Sequence, residues 1–300
     1  MTQVILKDGG SGQELLARSS MPAHPLWSTK VMMEEPEIVQ SVHVDFIRAG
    51  ARLITLNTYS ATPERLAREG VGDMFETLQQ RALDLANAAR DEVEADGVKL
   101  AACLPPLHGS YRPDMSLGHA DLLPAYQEIV ATQEAACDVI LCETLSSIAE
   151  ATAAAQAGVE TGKPTWVFVT LKDDNSKTLR SGETLEAALD ALKDIKVAGI
   201  GLNCSKPEVV SGGLPAVLET GRTTGAYANA FTGIDPLEIG GTVDGLRARD
   251  DVTPARYADF AMQWVADGAR FVGGCCEVGP GHIAELANRL KEAGYDLVGA

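Results

Sequence analysis

Eight short runs of β-branched and apolar residues, each followed by a longer segment rich in alanine and leucine, constrain the fold of this chain more than any other feature. The runs are Val4 to Lys7, Arg52 to Leu56, Val98 to Cys103, Asp138 to Cys142, Thr165 to Leu171, Val197 to Leu202, Thr224 to Ala228 and Arg270 to Gly273. Strand-like runs alternating with helical patterns imply βα units around a parallel sheet. The intervening segments fit helices: Glu37 to Ala49 puts Ile38, Val42, Phe46 and Ile47 on one face, and Met74 to Ala95 carries apolar residues at three- and four-residue steps. Eight such units in 300 residues suit a (β/α)8 TIM barrel, about 250 residues plus insertions, as a single domain over residues 1–300. A doubly wound sheet is the rival architecture. The stretches Leu104 to Leu123 and Phe231 to Thr253 are rich in Gly, Pro and Asp and follow strands three and seven; they read as loops over a barrel mouth.

Composition narrows the partners. The chain is 45% hydrophobic, enough for a large core, and its 25 Lys and Arg against 42 Asp and Glu give a net charge of -17. Nucleic acid and anionic membranes need a basic surface, so small molecules are the expected partners. The N-terminus has no basic segment leading into an apolar core, and no apolar run approaches the ~20 residues of a membrane span. Six cysteines are too sparse for a disulfide scaffold. Cytoplasm is therefore the expected location, and oligomeric state, a homo-oligomer included, stays open.

In a barrel, chemistry sits just after each strand. Strand one here ends in Asp8-Gly9-Gly10-Ser11-Gly12, strand two in Asn57-Thr58-Tyr59, strand four in Glu143-Thr144, strand six in Asn203-Cys204-Ser205, strand seven in Asn229 and strand eight in Cys275-Cys276. Adjacent α-carbons lie about 3.8 Å apart, whereas an unstrained disulfide needs roughly 4.4–6.8 Å, so Cys275 and Cys276 suit a metal better than each other. Neighbouring side chains of a regular strand face opposite ways; Gly273 and Gly274, free at positive φ, would supply the bend that turns both thiols to one ion. A catalytic zinc usually takes three protein ligands. Cys204, 71 positions before Cys275, becomes the third in a barrel because strands six and eight flank strand seven. The plainer reading makes Cys204 a buried small hydrophobe, as expected for Cys103, Cys137 and Cys142.

These motifs resemble the zinc-dependent homocysteine S-methyltransferases over nearly the whole chain. The likeness rests on Asp8-Gly9-Gly10, Pro25-Leu26-Trp27-Ser28, Val42 to Ala51 (VHVDFIRAGA), Asn57-Thr58-Tyr59-Ser60-Ala61, Gly201-Leu202-Asn203-Cys204 and Gly273-Gly274-Cys275-Cys276. It implies Zn²⁺ held by Cys204, Cys275 and Cys276 and a substrate thiol in the fourth place, deprotonated by the metal. It also implies Asp8 and Glu143 around the ammonium of homocysteine, the amides of Gly9 and Gly10 at its carboxylate, and Asn203 beside the substrate. Onium methyl donors call for aromatic faces, with Trp27 and Tyr59 the foremost candidates and Tyr227 next. Glu277 departs from the family pattern; it either adds negative charge that favours a cationic donor or points to solvent.

The resulting expectation is methyl transfer from an onium donor to zinc-activated homocysteine, forming methionine. S-methylmethionine comes first, betaine or another sulfonium second. No cobalamin or folate module follows before Ala300, so the donor is expected to bind directly. Alternatives are a non-catalytic zinc- or thiol-binding sensor, a methyltransferase for another thiol, and a metal-free aldolase or isomerase barrel. His282, after Gly279-Pro280, is expected to start the last helix rather than ligate metal. Gly240 to Gly245 lacks the context of a phosphate loop and reads as a flexible lid.

Overall fold

The computed structural model describes residues 2–234, 237 and 241–300. In chain order the elements are β1 (Gln3–Leu6), α1 (Ser11–Arg18), α2 (Trp27–Glu34), α3 (Pro36–Arg48), β2 (Leu53–Thr55), α4 (Pro63–Arg68), α5 (Phe75–Glu92) and β3 (Lys99–Leu104). Then come α6 (His119–Gln133), β4 (Val139–Leu145), α7 (Ile148–Glu160), β5 (Thr165–Val169), α8 (Leu185–Leu192), β6 (Gly199–Asn203), α9 (Pro207–Leu218) and β7 (Thr224–Tyr227). The chain finishes with α10 (Pro254–Asp267), β8 (Phe271–Val272), α11 (Pro280–Glu292) and β9 (Asp296–Val298). Every anticipated run is a strand, most of them trimmed at the ends where side chains leave the ladder.

All ladders are parallel, running β2 to β8 in chain order, with β1 beside β8. A bridge between Lys7 and Leu53 joins β1 to β2: the Arg52 N–H donates to the Leu6 carbonyl at 2.8 Å and the Asp8 N–H to Leu53 at 2.9 Å. That seam closes the barrel and rules out the doubly wound rival. β9 is an addition to the expected eight; it pairs with Gln3 to Ile5 of β1, filling the lower half of the seam. Three residues beginning with an aspartate carry too little periodicity to announce a strand.

Two apolar layers result. The larger lies between sheet and helices, where α3 buries Val39, Val42, Phe46 and Ile47. The smaller fills the barrel with Trp166, Phe168, Tyr227 and Phe271, whose rings meet at 4.7–6.1 Å between centroids. Gly201 and Gly225 make room for this plug, because a Cβ on either would sit 2.3 or 2.6 Å from the Phe168 ring. Thr-Pro pairs open two helices that follow mouth loops. Thr62 and Thr253 accept at the hydroxyl from the backbone N–H of Arg65 and Arg256, with Pro63 and Pro254 at the first helical position.

Of the expected lid, Gly240 lies outside the described residues, and Val243–Gly245 form a 3-10 turn. Among the described residues no helix is long and apolar enough to cross a membrane.

Candidate active site and metal centre

The C-terminal ends of the strands surround a cavity of about 130 Å³. Its lining includes Lys7, Gly9, Gly10, Trp27, Tyr59, Arg65, Tyr111, Glu143, Cys204, Cys275 and Cys276. Barrel topology thus brings together residues that are far apart in sequence.

The sulfurs of Cys204, Cys275 and Cys276 all lie within 4.8 Å of one another. Cys204 leaves β6 at φ 47°, held there because its N–H donates to the Tyr227 carbonyl and its own carbonyl accepts from Asn229 Nδ2 at 2.8 Å. Such a backbone is uncommon outside glycine and accumulates at functional sites. Gly273 and Gly274 do not provide positive φ, as the sequence suggested; they provide close approach. A Cβ on Gly273 would sit 2.8 Å from Lys7 Cβ, and one on Gly274 2.3 Å from Val278. The left-handed residue is instead Glu277, at φ 65°.

Cys204 and Cys275 form a disulfide across a Cα separation of 5.6 Å, and Cys276 is free. The sequence reading weighed only the unfavourable Cys275–Cys276 pairing. Thiolates, not disulfide sulfurs, bind metal, so the cluster fits a metal ion once that bond has taken up two electrons. Burial first, then Glu277 and Glu143, push the Cys276 thiol up to about 12. The Tyr111 hydroxyl donates to Cys204 Sγ at 3.0 Å, and the Tyr111 ring packs 4.6 Å from the Arg180 guanidinium. Tyr111 had no sequence signal beyond its place in the loop after β3.

The two expected carboxylates differ in access. Glu143 lines the cavity, its Oε2 accepting from Tyr227 Oη at 2.9 Å and its Oε1 from Cys103 Sγ at 3.3 Å. Asp8 is fully buried and does not line it: its carboxylate accepts from Lys7 Nζ at 2.8 Å, Thr55 N at 2.8 Å and Thr55 Oγ1 at 3.1 Å. Burial opposes the Lys7 charge, but Asp8 and Glu143 outweigh it and hold its pKa above the ordinary value. Lys7 also sits 5.0 Å over the Tyr227 ring. Sequence reading missed this lysine, which looks like a strand residue.

Other assignments shift. Asn203 exchanges two 2.9 Å hydrogen bonds with Thr144, tying the end of β6 to that of β4 without lining the cavity. Tyr227 is fully buried in the barrel plug and steadies Glu143 instead of facing a donor. The Gly10 N–H donates to the Val278 carbonyl at 2.9 Å, so it is already used. His282 lies in α11, its Nδ1 accepting from Gly279 N at 3.2 Å. Cys103, Cys137 and Cys142 are buried and free, their thiols pushed up chiefly by burial.

Trp27 and Tyr59 form one wall, edge to face at 5.8 Å and 87°. Gly12 lies against the indole, where a Cβ would come within 2.5 Å. The indole Nε1 donates to Gln13 Oε1 at 3.1 Å, and Gln13 Nε2 donates to Glu277 Oε1 at 2.6 Å. Glu277 therefore reaches the aromatic wall through one glutamine. Tyr59 Oη meets Ser110 Oγ at 3.0 Å, and the Arg65 guanidinium lies 5.4 Å from its ring.

A family model described as homocysteine S-methyltransferase matches residues 5–290. The chain belongs to that family. The homocysteine S-methyltransferase of Escherichia coli strain K12 is 31% identical over 304 residues, covering 95% of each chain. The crystal structure of the E. coli homocysteine methyltransferase MmuM in its metallated form superposes with a TM-score of 0.78 at 30% identity, covering 96% of each chain. Its oxidized form matches at the same TM-score with 28% identity, covering 95% of this chain and 96% of that one. As a member of this enzyme family, the protein pairs a methyltransferase barrel with a cysteine cluster able to hold a metal.

Proposed function

We propose that the protein transfers a methyl group from an onium donor to homocysteine, forming methionine. The observation that carries this reading is the cluster of three cysteine sulfurs within 4.8 Å of one another in the cavity wall. Zn²⁺ held by Cys204, Cys275 and Cys276 in their reduced state would deprotonate a thiol in its open position and leave it electron-rich.

The remaining roles fall to this chain's own groups. Glu143, its two oxygens fixed by Tyr227 and Cys103, is placed to accept the ammonium of the acceptor. Asp8 acts behind it through Lys7. The acceptor carboxylate finds the backbone N–H groups of Gly9 and Gly12, which line the cavity where α1 begins. Trp27 and Tyr59 face the donor cation. In the transfer the homocysteine sulfur lone pair forms the new S–CH₃ bond as the donor's S⁺–CH₃ or N⁺–CH₃ bond breaks; the released pair leaves a neutral thioether or amine. S-methylmethionine is the first donor and betaine or another sulfonium compound the second.

The deciding experiment offers S-methylmethionine, glycine betaine, dimethylsulfoniopropionate and S-adenosylmethionine to reduced, zinc-loaded protein with homocysteine and measures methionine. The Cys204–Cys275 disulfide lends weight to a second reading, a thiol-binding sensor barrel. Zinc retained with no methionine from any donor would favour that reading.

A further inference from the structure

Among the described residues, one cation of the cavity wall makes no ion pair. Arg65 is 7% exposed, and its Nε donates to the Leu107 carbonyl at 3.2 Å. Its Nη2 donates to the Pro106 carbonyl at 2.8 Å and lies 3.4 Å from Ser110 Oγ. All three acceptors are neutral, and among the described residues Nη1 has no hydrogen-bond partner. Among the described residues Arg65 makes no ion pair; Glu64 and the buried Glu150 act on it only through space, while Arg68 adds a like charge on the same wall. A guanidinium buried without a counterion is costly, and its planar fork suits a carboxylate.

Position narrows which carboxylate. Arg65 stands in α4, after β2, against the Tyr59 ring at 5.4 Å, and Ser110 bonds Tyr59 as well as approaching Arg65. The guanidinium and the aromatic wall are thus one assembly. An aromatic face attracts an onium ion, but the adjacent guanidinium repels it. A bare onium ion gains little from such a wall; one that carries its own carboxylate satisfies both halves.

We propose that Arg65 is the specificity-determining residue for the methyl donor, binding a carboxylate carried on the same molecule as the onium centre that faces Trp27 and Tyr59. This rests on the methyl-transfer reading above. It predicts discrimination between donors that differ only in that carboxylate.

The test uses reduced, zinc-loaded protein with homocysteine and donors in pairs: S-methylmethionine against its carboxamide, and dimethylsulfoniopropionate against its methyl ester, with trimethylsulfonium as the bare ion. The acid of each pair should be favoured in kcat/KM by roughly 10- to 100-fold, as befits a charged hydrogen bond. Arg65→Gln should raise KM for the acids and erase that preference, while use of trimethylsulfonium, freed of the repelling charge, should rise or hold. Arg65→Lys should restore part of it. Acid and neutral donors used equally well by the wild type, or a Gln variant that weakens both alike, would overturn the inference while leaving methyl transfer intact. Dissociation constants for the same pairs, read from tryptophan fluorescence on the wild type, decide the matter independently of turnover and of variant folding: an acid that binds no tighter than its neutral partner overturns it.

Discussion

Glu277 follows the paired cysteines in a left-handed backbone and spends its carboxylate on Gln13, which in turn holds the Trp27 indole. Sequence left two alternatives, negative charge favouring a cationic donor or exposure to solvent; the carboxylate has a partner in Gln13 and also acts on the Cys276 thiol. Glu277→Ala should free the indole and raise the donor KM about 3- to 10-fold, the worth of one hydrogen bond, with the homocysteine KM unchanged. Glu277→Gln keeps an acceptor for Gln13 and should restore both the KM and the protection of Trp27 from acrylamide quenching. A second residue-scale prediction concerns the cysteines: oxidised protein should bind no zinc, whereas reduced protein should retain one zinc per chain by metal analysis, and Cys204→Ser should lower that retention with or without reductant. The cysteines, Glu143 and Tyr59 were legible as cavity neighbours because strand ends in a barrel converge, and Trp27, at the start of α2, only through the resemblance. Lys7, Arg65 and Tyr111 were not, since nothing in a sequence shows that a lysine in a strand or an arginine in a helix points into a cavity. Asp8 and Asn203 illustrate the converse: both stand at strand ends, yet hydrogen bonds with Lys7, Thr55 and Thr144 claim their polar atoms.

Among the elements, β5 to β8 do most to set the depth of the site, because their inward side chains build the aromatic plug beneath it. Gly201 of β6 is closely packed, with the Phe168 ring and the Gly225 carbonyl both 2.3 Å from where a Cβ would stand. Gly201→Ala should therefore destabilise the fold by about 1–3 kcal/mol through overpacking, measured by urea unfolding, and should shift Tyr227 with its hold on Glu143. Strands as hydrophobic runs and helices as amphipathic stretches were readable because both periods come from backbone geometry. β9 was not, since its three residues gain their order from the edge of β1 that closure would otherwise leave unpaired. The same limit applies to the role of Gly273 and Gly274: a glycine pair signals freedom or proximity, and only the packed neighbours decide which.

At the scale of the whole molecule, two buried groups bend stability with pH in opposite senses. Burial pushes the Glu150 carboxyl up to about 7, above an unfolded value of about 4.3; its contribution is complete below the unfolded value and is lost as pH rises through 7. His43 is fully buried with neither ring nitrogen bonded, and burial lowers its pKa; its contribution is present above about 6.5 and is lost as pH falls through the folded value. Glu150→Gln should then raise stability at pH 8 relative to pH 5 by roughly 3 kcal/mol, read from denaturant unfolding at the two values. The disulfide between β6 and β8 adds a wider consequence. A cross-link spanning 71 residues restricts the unfolded chain by about 4 kcal/mol, so oxidation makes the barrel harder to melt while removing two of the three sulfurs a metal needs. Under the zinc-dependent methyl transfer proposed above, screens that rank preparations, buffers or variants by melting temperature would select the inactive form, and a purification tuned for robustness would enrich it.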